Sequence, residues 1–290
     1  MLSNRPVLRR WYALKRCLDA SSKPTLNLVR NPGQSGSFEV RNNHKQDGIP
    51  LAETMICLNW NIRWADAVSP RGELICAKLE KLNLDVVCFT EATLSMVPDS
   101  GYSIISGPDY GYPANGSRRK VILWSRTPWA DVDVLGADSM PSGRFASGVT
   151  EGIRFIGICI PWRDAHVRTG RRDRTPWQDH LTYLSGLASV LIRYGSSGRP
   201  LCVIGDYNQS IPRVSQPLHV ADALVNILGD RLIVATASKH DHEGKPFIDH
   251  YAHTDGISIQ ISEVIPKIAG NGIALSDHVG VVASITVHGT

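Results

Sequence analysis

Paired cysteines are the first thing this sequence lacks. Its six cysteines, Cys17, Cys57, Cys76, Cys88, Cys159 and Cys202, are scattered, and no two stand in a C-x-x-C spacing. Four of them sit inside apolar, strand-like runs, where a thiol behaves as a small buried hydrophobe. This excludes a disulfide framework or a cysteine-built zinc site, and it fits a reducing compartment. No apolar run is long enough to cross a bilayer, no secretory apolar core stands near the start, and no internal repeat is visible. Charged residues make up only 20% against 42% hydrophobic, which excludes a disordered chain and leaves a globular one with ample core. A cytoplasmic location is the expectation.

A basic body is missing too. The net charge of +4 arises in residues 1–50, where nine Lys or Arg face three acids, so the rest of the chain carries a net −2. The body therefore has no global attraction to polyanions, and any affinity for nucleic acid there must be local. Within the leading segment Val7, Leu8, Trp11, Leu14 and Leu18 fall at helical spacing, with Arg9, Arg10, Lys15 and Arg16 between them. Such a basic amphipathic helix suits contact with nucleic acid, a partner or a membrane surface. The Arg-rich, acid-poor start also resembles an organelle transit peptide, which makes an organelle the alternative location. The plainer expectation is a poorly ordered tail. Residues 1–50 are thus expected to be an extension and residues 51–290 a single domain, with oligomeric state left open.

What is present is a series of buried strands carrying polar residues at their ends. Leu201-Cys202-Val203-Ile204-Gly205-Asp206-Tyr207-Asn208 reads as a core strand that delivers Asp206 and Asn208 to one side, or as an Asx-rich turn. Met55–Ile62 ends at Asn61, and Asp85–Glu91 closes on Glu91. Between them Ser69-Pro70 marks a helix start, with Leu74, Ile75, Leu79 and Leu82 as its apolar face. Further strand candidates are Tyr102–Ser106, Lys120–Ser125, Ala130–Leu135, Phe145–Thr150 and Ile153–Ile160, separated by turns that suggest antiparallel meanders. Thr175 and Gln178 form a capping box ahead of a helix with Trp177, Leu181, Leu184, Leu187 and Leu191 inward. A helix near Val220–Leu228, strands at Phe247–Ala252 and Ile257–Val264, and a last strand after Ser276-Asp277-His278 complete the chain.

Asn61, Glu91, Asp206, Asn208, Asp249, Asp277 and His278 thus come from distant stretches, each beside a strand, and their convergence predicts one site. Hard oxygen donors suit Mg2+ (or Mn2+), which binds phosphate oxygens. An Asp–Asn pair can orient and deprotonate water, and a histidine can protonate or stabilise a phosphoryl oxygen.

The stretches Leu58-Asn59-Trp60-Asn61-Ile62, Asp85–Glu91, Ile204-Gly205-Asp206-Tyr207-Asn208, Ile248-Asp249-His250 and Ser276-Asp277-His278 resemble the ordered motifs of the endonuclease/exonuclease/phosphatase superfamily, whose fold is that of pancreatic deoxyribonuclease. The resemblance spans roughly residues 54–287. It implies an α/β, four-layer α-β-β-α sandwich of two packed, mostly antiparallel mixed sheets flanked by helices. It also implies that Glu91, Asn61 and Asp277 belong to a metal site holding Mg2+ (or Mn2+), with Glu91 the direct ligand. Asp206 would activate water, Asn208 would position water or phosphate, and His278, oriented by Asp249, would contact the scissile phosphate. His250 and Asp255 stand close to Asp249 as rivals for that orienting role. The implied activity is a metal-dependent phosphodiesterase, a nuclease on DNA or RNA. The alternatives are hydrolysis of a lipid or small-molecule phosphate, or a binding module without chemistry.

Two positions depart from the pattern. Thr90 stands where Gln usually precedes the metal-binding Glu. Cys159-Ile160-Pro161-Trp162 stands where many members carry a His, or a Tyr with a nearby Asn. Arg163 and His166, in a loop with five arginines against two aspartates at 163–174, are the expected substrate-binding stand-ins. Trp60, Trp64, Tyr207 and Trp162 read as core or rim packing with stacking on bases or sugars as the alternative, and Arg144 reads as a surface residue with substrate contact as a minor option.

Overall fold

The computed structural model describes residues 54–113 and 115–288. The expectations for residues 1–50, including the amphipathic helix and Cys17, lie outside the described residues. In chain order the elements are β1 (Thr54–Asn61), α1 (Pro70–Leu79), β2 (Val86–Thr93), β3 (Tyr102–Ile105), β4 (Arg118–Ser125), β5 (Ala130–Asp133), β6 (Phe145–Thr150) and β7 (Ile153–Cys159). Then follow α2 (Gln178–Gly195), β8 (Leu201–Asp206), α3 (Leu218–Leu228), β9 (Ile233–Val234), β10 (Asp249–His253), β11 (Ile257–Ile265) and β12 (Gly280–Val287).

The strands form two six-stranded sheets, ordered β11-β12-β1-β2-β4-β3 and β5-β6-β7-β8-β10-β9. Each contains one parallel pair, β1–β2 and β7–β8. Those are the two places where a helix, α1 or α2, lies between consecutive paired strands, as a parallel connection requires. Every other pairing is antiparallel, in line with the meanders expected from the short turns. The fold is the α/β sandwich that the sequence implies.

Side-chain alternation builds the layers. From β7, Phe155 and Cys159 face Cys57, Cys88, Val121 and Leu123 of the other sheet, forming the inter-sheet core with Ile204 and Tyr251. Ile156 and Ile158, one residue out of phase, face the opposite way and pack under Leu184, Leu187 and Leu224 of α2 and α3. All five described cysteines are buried free thiols. Burial pushes up the pKa of Cys57, Cys76, Cys88, Cys159 and Cys202, which keeps these thiols protonated and inert.

Local signals act where expected at α1. Ser69 Oγ accepts from Gly72 N at 3.1 Å and Pro70 opens the helix. At α2 the capping box is only half formed. Gln178 Oε1 accepts from Thr175 N at 3.0 Å, but the Thr175 hydroxyl donates to the same oxygen. The helix begins at Gln178 after Trp177 takes a left-handed conformation, φ 70°. Trp177 therefore leaves the apolar stripe, and Tyr183, Leu184, Leu187, Val190 and Leu191 form it instead. The two-residue β9 carries too little pattern to be read from sequence.

Candidate active site

The site lies on the seam where both sheets end. Asn59 Nδ2, on β1, donates across the seam to Gly205 O at 3.0 Å and to His250 O at 3.2 Å. Gly205 is required there. Its φ is 145°, and a Cβ would sit 2.0 Å from Ile158 O, so β7 and β8 could not approach as they do with a larger residue. Asp206 ends β8 directly opposite Asp249, the first residue of β10. Beyond Asp206 the strand stops. Asn208 is left-handed, φ 52°, and its N–H closes an Asx-type turn on Asp206 Oδ1 at 2.9 Å. Asn208 therefore reaches Asp206 through a turn, not by strand alternation, and its Nδ2 donates to Asp206 Oδ2 at 3.0 Å and to Ile160 O at 2.8 Å.

Asn61, at the end of β1, donates from Nδ2 to Asp206 Oδ2 at 3.1 Å, while its Oδ1 accepts from Arg63 N at 3.0 Å. His278 arrives from the turn before β12. Ser276 Oγ staples that turn to β1 by donating to Asn61 O at 2.6 Å and accepting from His278 N at 3.2 Å. His278 Nδ1 meets Asp249 Oδ2 at 2.6 Å. The rival residues point elsewhere. His250 is buried between Gln209 O and the Thr236 hydroxyl, and Asp255 is exposed in the turn after β10.

Glu91 is not at a strand end. β2 runs on to Thr93, and Glu91 interrupts it with φ 48°, an uncommon conformation for a glutamate. The ladder to β4 pairs Thr90 with Val121 and Ala92 with Arg119, so Glu91 falls opposite Lys120 without a ladder pair of its own. Its Oε1 pairs with the buried Lys120 of β4, and no hydrogen bond to Oε2 is found among the described residues. Asp277 is exposed and pairs with Arg63 at 3.5 Å.

The electrostatics push the Asp206 carboxyl and the His278 imidazole apart from their ordinary values. Burial raises the Asp206 pKa to about 7; His278 opposes that rise, whereas Asp249 and Glu91 add to it. Burial alone would lower the pKa of His278, but the charge and hydrogen bond of Asp249, with Asp206 and Asp277 behind, raise it to about 10. Ligand atoms of Asp206, Asp249 and His278 lie within 4.8 Å of one another. An imidazolium already bonded to Asp249 is a poor metal ligand, however, so this trio reads as an internal ion pair. The wider donor set does fit a hard divalent cation. Asp249 Oδ1 is buried without a partner, Glu91 Oε2 is available, and the surplus negative charge around Asp206 is what a dication relieves.

The arginine loop behaves differently from its reading. His166 is 2% exposed, packed against Tyr112 at 4.3 Å between ring centres, with Nδ1 accepting from Arg171 N. Together with Arg174 and Arg171 it converges on the buried Asp179, at 2.6 Å for Arg174 Nε. The structure does not bring His166 to the strand ends. Arg163 is exposed and lines a cavity of about 800 Å3 with Asn208, Trp177 and Lys245. Its neighbour Trp162 lines a second cavity, of about 450 Å3, on the Lys120 side. Trp60 and Tyr207 are fully buried.

Two cations lie otherwise than the sequence suggests. Lys120 faces Glu91 only because β4 pairs with β2, a register that local pattern does not encode. Arg144 is buried, not a surface residue. Its Nη1 donates to Cys159 O at 3.4 Å, Nη2 has no partner, and Cys159 is the β7 residue paired with Asp206. Behind the site, Gln209 Nε2 donates to His180 Nε2 at 2.7 Å, and His180 Nδ1 donates to Pro161 O at 2.7 Å. This chain of bonds ties α2 to the turn after β8 and to the loop after β7.

Residues 58–232 match the family described as Endonuclease/Exonuclease/phosphatase family. Comparison with curated proteins gives no match. Among solved structures, the chain is similar to an AP endonuclease from Archaeoglobus fulgidus, with TM-score 0.57 and 16% identity, covering 79% of this chain and 98% of that one. It is also similar to the 3'-5' exonuclease NExo from Neisseria meningitidis, with TM-score 0.58 and 15% identity, covering 79% and 98%. The human Nocturnin catalytic domain with bound sulfate anion gives TM-score 0.57 and 14% identity, covering 83% and 97%.

Proposed function

The chain belongs to the Endonuclease/Exonuclease/phosphatase family, and from that premise we propose that it is a divalent-metal-dependent phosphodiesterase acting on nucleic acid. The single observation that carries the chemistry is the pairing of opposed groups across the seam. Asp206, with its pKa raised to about 7, lies beside the Asp249–His278 pair, whose imidazole is held protonated. Neighbouring groups pushed apart in this way suit a base and an acid.

Asp206 takes a proton from water, which Asn208 and Asn61 orient through the amides that already bond to its carboxylate. His278, fixed by Asp249, donates to the phosphoryl or leaving oxygen. Glu91, with Asn61 and Asp277, would hold Mg2+ or Mn2+, which when bound neutralises charge developing on phosphate. Arg163 faces the substrate from the cavity beside Asn208, and the spare nitrogen of Arg144 supplies positive charge behind Cys159. His166 acts through loop position only. Nucleic acid is favoured as substrate because the AP endonuclease and the 3'-5' exonuclease share this fold at nearly their full length, and because the rim combines cations with aromatic rings.

The test is hydrolysis of labelled DNA and RNA oligonucleotides with Mg2+ or Mn2+. Activity is expected to vanish in EDTA and to fall at least ~1,000-fold in Asp206→Asn with an unchanged circular-dichroism spectrum. Release of phosphate from phosphoinositides, with none from either nucleic acid, would overturn the substrate. No hydrolysis of any of them, in either metal, would overturn the enzyme.

A further inference from the structure

Beside Glu91 the molecule carries an aromatic cleft with cations on its wall, and none of the residues proposed for the chemistry lines it. The cavity of about 450 Å3 is lined by Trp64, Tyr110, Tyr112, Arg118, Lys120 and Trp162. Trp64 and Tyr110 are stacked, with ring centres 5.8 Å apart and planes 19° from parallel, and Tyr112 continues the row at 6.0 Å from Tyr110. Arg118 lies 5.1 Å over the Trp64 ring. Lys120 Nζ lies 5.0 Å over Trp64 and 5.5 Å over Tyr110 while pairing with Glu91. Trp162 is 45% exposed, a large apolar surface left in water at the mouth. No acidic side chain is among the described residues lining the cleft.

The conformation of the chain serves this arrangement. Arg63 and Trp64 both have positive φ, 44° and 58°, and Trp64 N donates to Glu91 O. The turn that leaves β1 is thereby held against the residue proposed to hold the metal, and it presents Trp64 next to it.

The geometry points to a subsite for an unpaired nucleobase whose phosphate lies at the Glu91 end. The inference rests on the phosphodiesterase reading for its direction, though not for its existence. Four aromatic rings against two cations give a flat, apolar, electron-rich wall, which a purine or pyrimidine ring can cover. An inositol phosphate would instead need several cations and hydroxyl partners. Tyr110 is buried beside Trp64, so the rings open to a base are Trp64 and Trp162, and Lys120, which pairs with Glu91, leads its phosphate to the Glu91 end. A base paired within a duplex has no free face to offer, so the occupant is single-stranded, frayed or flipped out.

Isothermal titration of the full chain in EDTA separates binding from turnover. The ligands are 5'-AMP, ribose 5-phosphate, a short single-stranded oligonucleotide and the same sequence as a blunt duplex. AMP and the single strand are expected to bind at least ~10-fold more tightly than ribose 5-phosphate and the duplex, the scale of one base–aromatic stack. Trp162→Ala is expected to erase that advantage, and Trp162→Phe to restore most of it. Binding of the strand well above AMP assigns the site to a nucleic acid chain, and equal binding assigns it to a free nucleotide. Equal affinity for AMP and ribose 5-phosphate, equal affinity for duplex and single strand, or an unchanged preference in Trp162→Ala would overturn the subsite. These results hold whether or not any substrate is cleaved, so failure of the subsite is distinguishable from failure of the catalytic reading. If oligonucleotides are cleaved, the ratio of kcat/KM for a normal strand to that for an abasic analogue is expected to collapse toward one in Trp162→Ala.

Discussion

His278 Nδ1 and Asp249 Oδ2 meet at 2.6 Å across the seam between the two sheets, one carried by the turn before β12 and the other by the first residue of β10. Because Asp249 is also the cross-strand neighbour of Asp206, a single carboxylate positions the proposed acid and burdens the proposed base. Asp249→Asn is expected to keep the fold, since an amide can still bond the imidazole. The pKa of His278 is expected to fall from about 10 toward the ordinary range, because the carboxylate charge that raises it is gone. The rate is expected to drop by on the order of 100-fold or more. NMR titration of the histidine, read beside kcat, checks both. An unshifted titration would remove Asp249 from the mechanism.

Glu91 lends itself to a binding test that needs no substrate. Mn2+ titrated into the full chain is expected to bind, and Glu91→Gln is expected to weaken that binding at least ~10-fold because the donor lost is an anionic oxygen. Lys120 complicates the picture in a useful way. It occupies Glu91 Oε1, so Lys120→Met is expected to tighten Mn2+ by removing a competing cation.

Stability should depend on pH through two histidines outside the chemistry. Burial lowers the pKa of both His180 and His250 to about 4, overriding the bonds to Pro161 O and Gln209 O and the charge of Asp249, which act the other way. In the unfolded chain they take up protons near pH 6.5, whereas in the folded chain they resist until about pH 4. Stability is therefore full above the unfolded value and is lost as pH falls from about 6.5 to about 4, by roughly 3 kcal/mol per histidine at most. Urea denaturation at pH 7.5 and pH 4.5 measures the difference. Replacing His180 with Gln, which offers donor and acceptor without a charge, is expected to flatten the slope.

Asp179 organises the arginine loop. Its buried carboxylate gathers Arg174, Arg171 and His166. Asp179→Ala is expected to cost roughly 1–3 kcal/mol in urea denaturation, because the partly exposed Arg174 and Arg171 lose the buried carboxylate they donate to. Arg163→Ala, at an exposed position on the cavity wall, is expected to leave the denaturation midpoint unchanged while raising KM about tenfold. If both variants altered stability alone, Arg163 would have no part in substrate binding.

Much of this molecule was legible in its sequence. Ser69-Pro70 opens a helix because a hydroxyl cap and a fixed φ act locally. Leu201–Asp206 forms a core strand because an uninterrupted apolar run must be buried on both faces. The sandwich was implied by the resemblance of five ordered motifs to a known superfamily, and the polar residues at the strand ends announced a site. Other features depended on pairing partners that no local pattern carries. Glu91 sits within β2, itself left-handed, and does not close the strand as the local pattern suggests. Lys120 faces it because β4 happens to pair there, and Arg144 is buried because β6 lies beside β7. Asn208 reaches Asp206 through a turn, and His166 is buried against Tyr112. Local chemistry, acting over three or four residues, can be read from the chain. Register between strands far apart is decided only when the two sheets close on a common core, and that closure determined which charges meet.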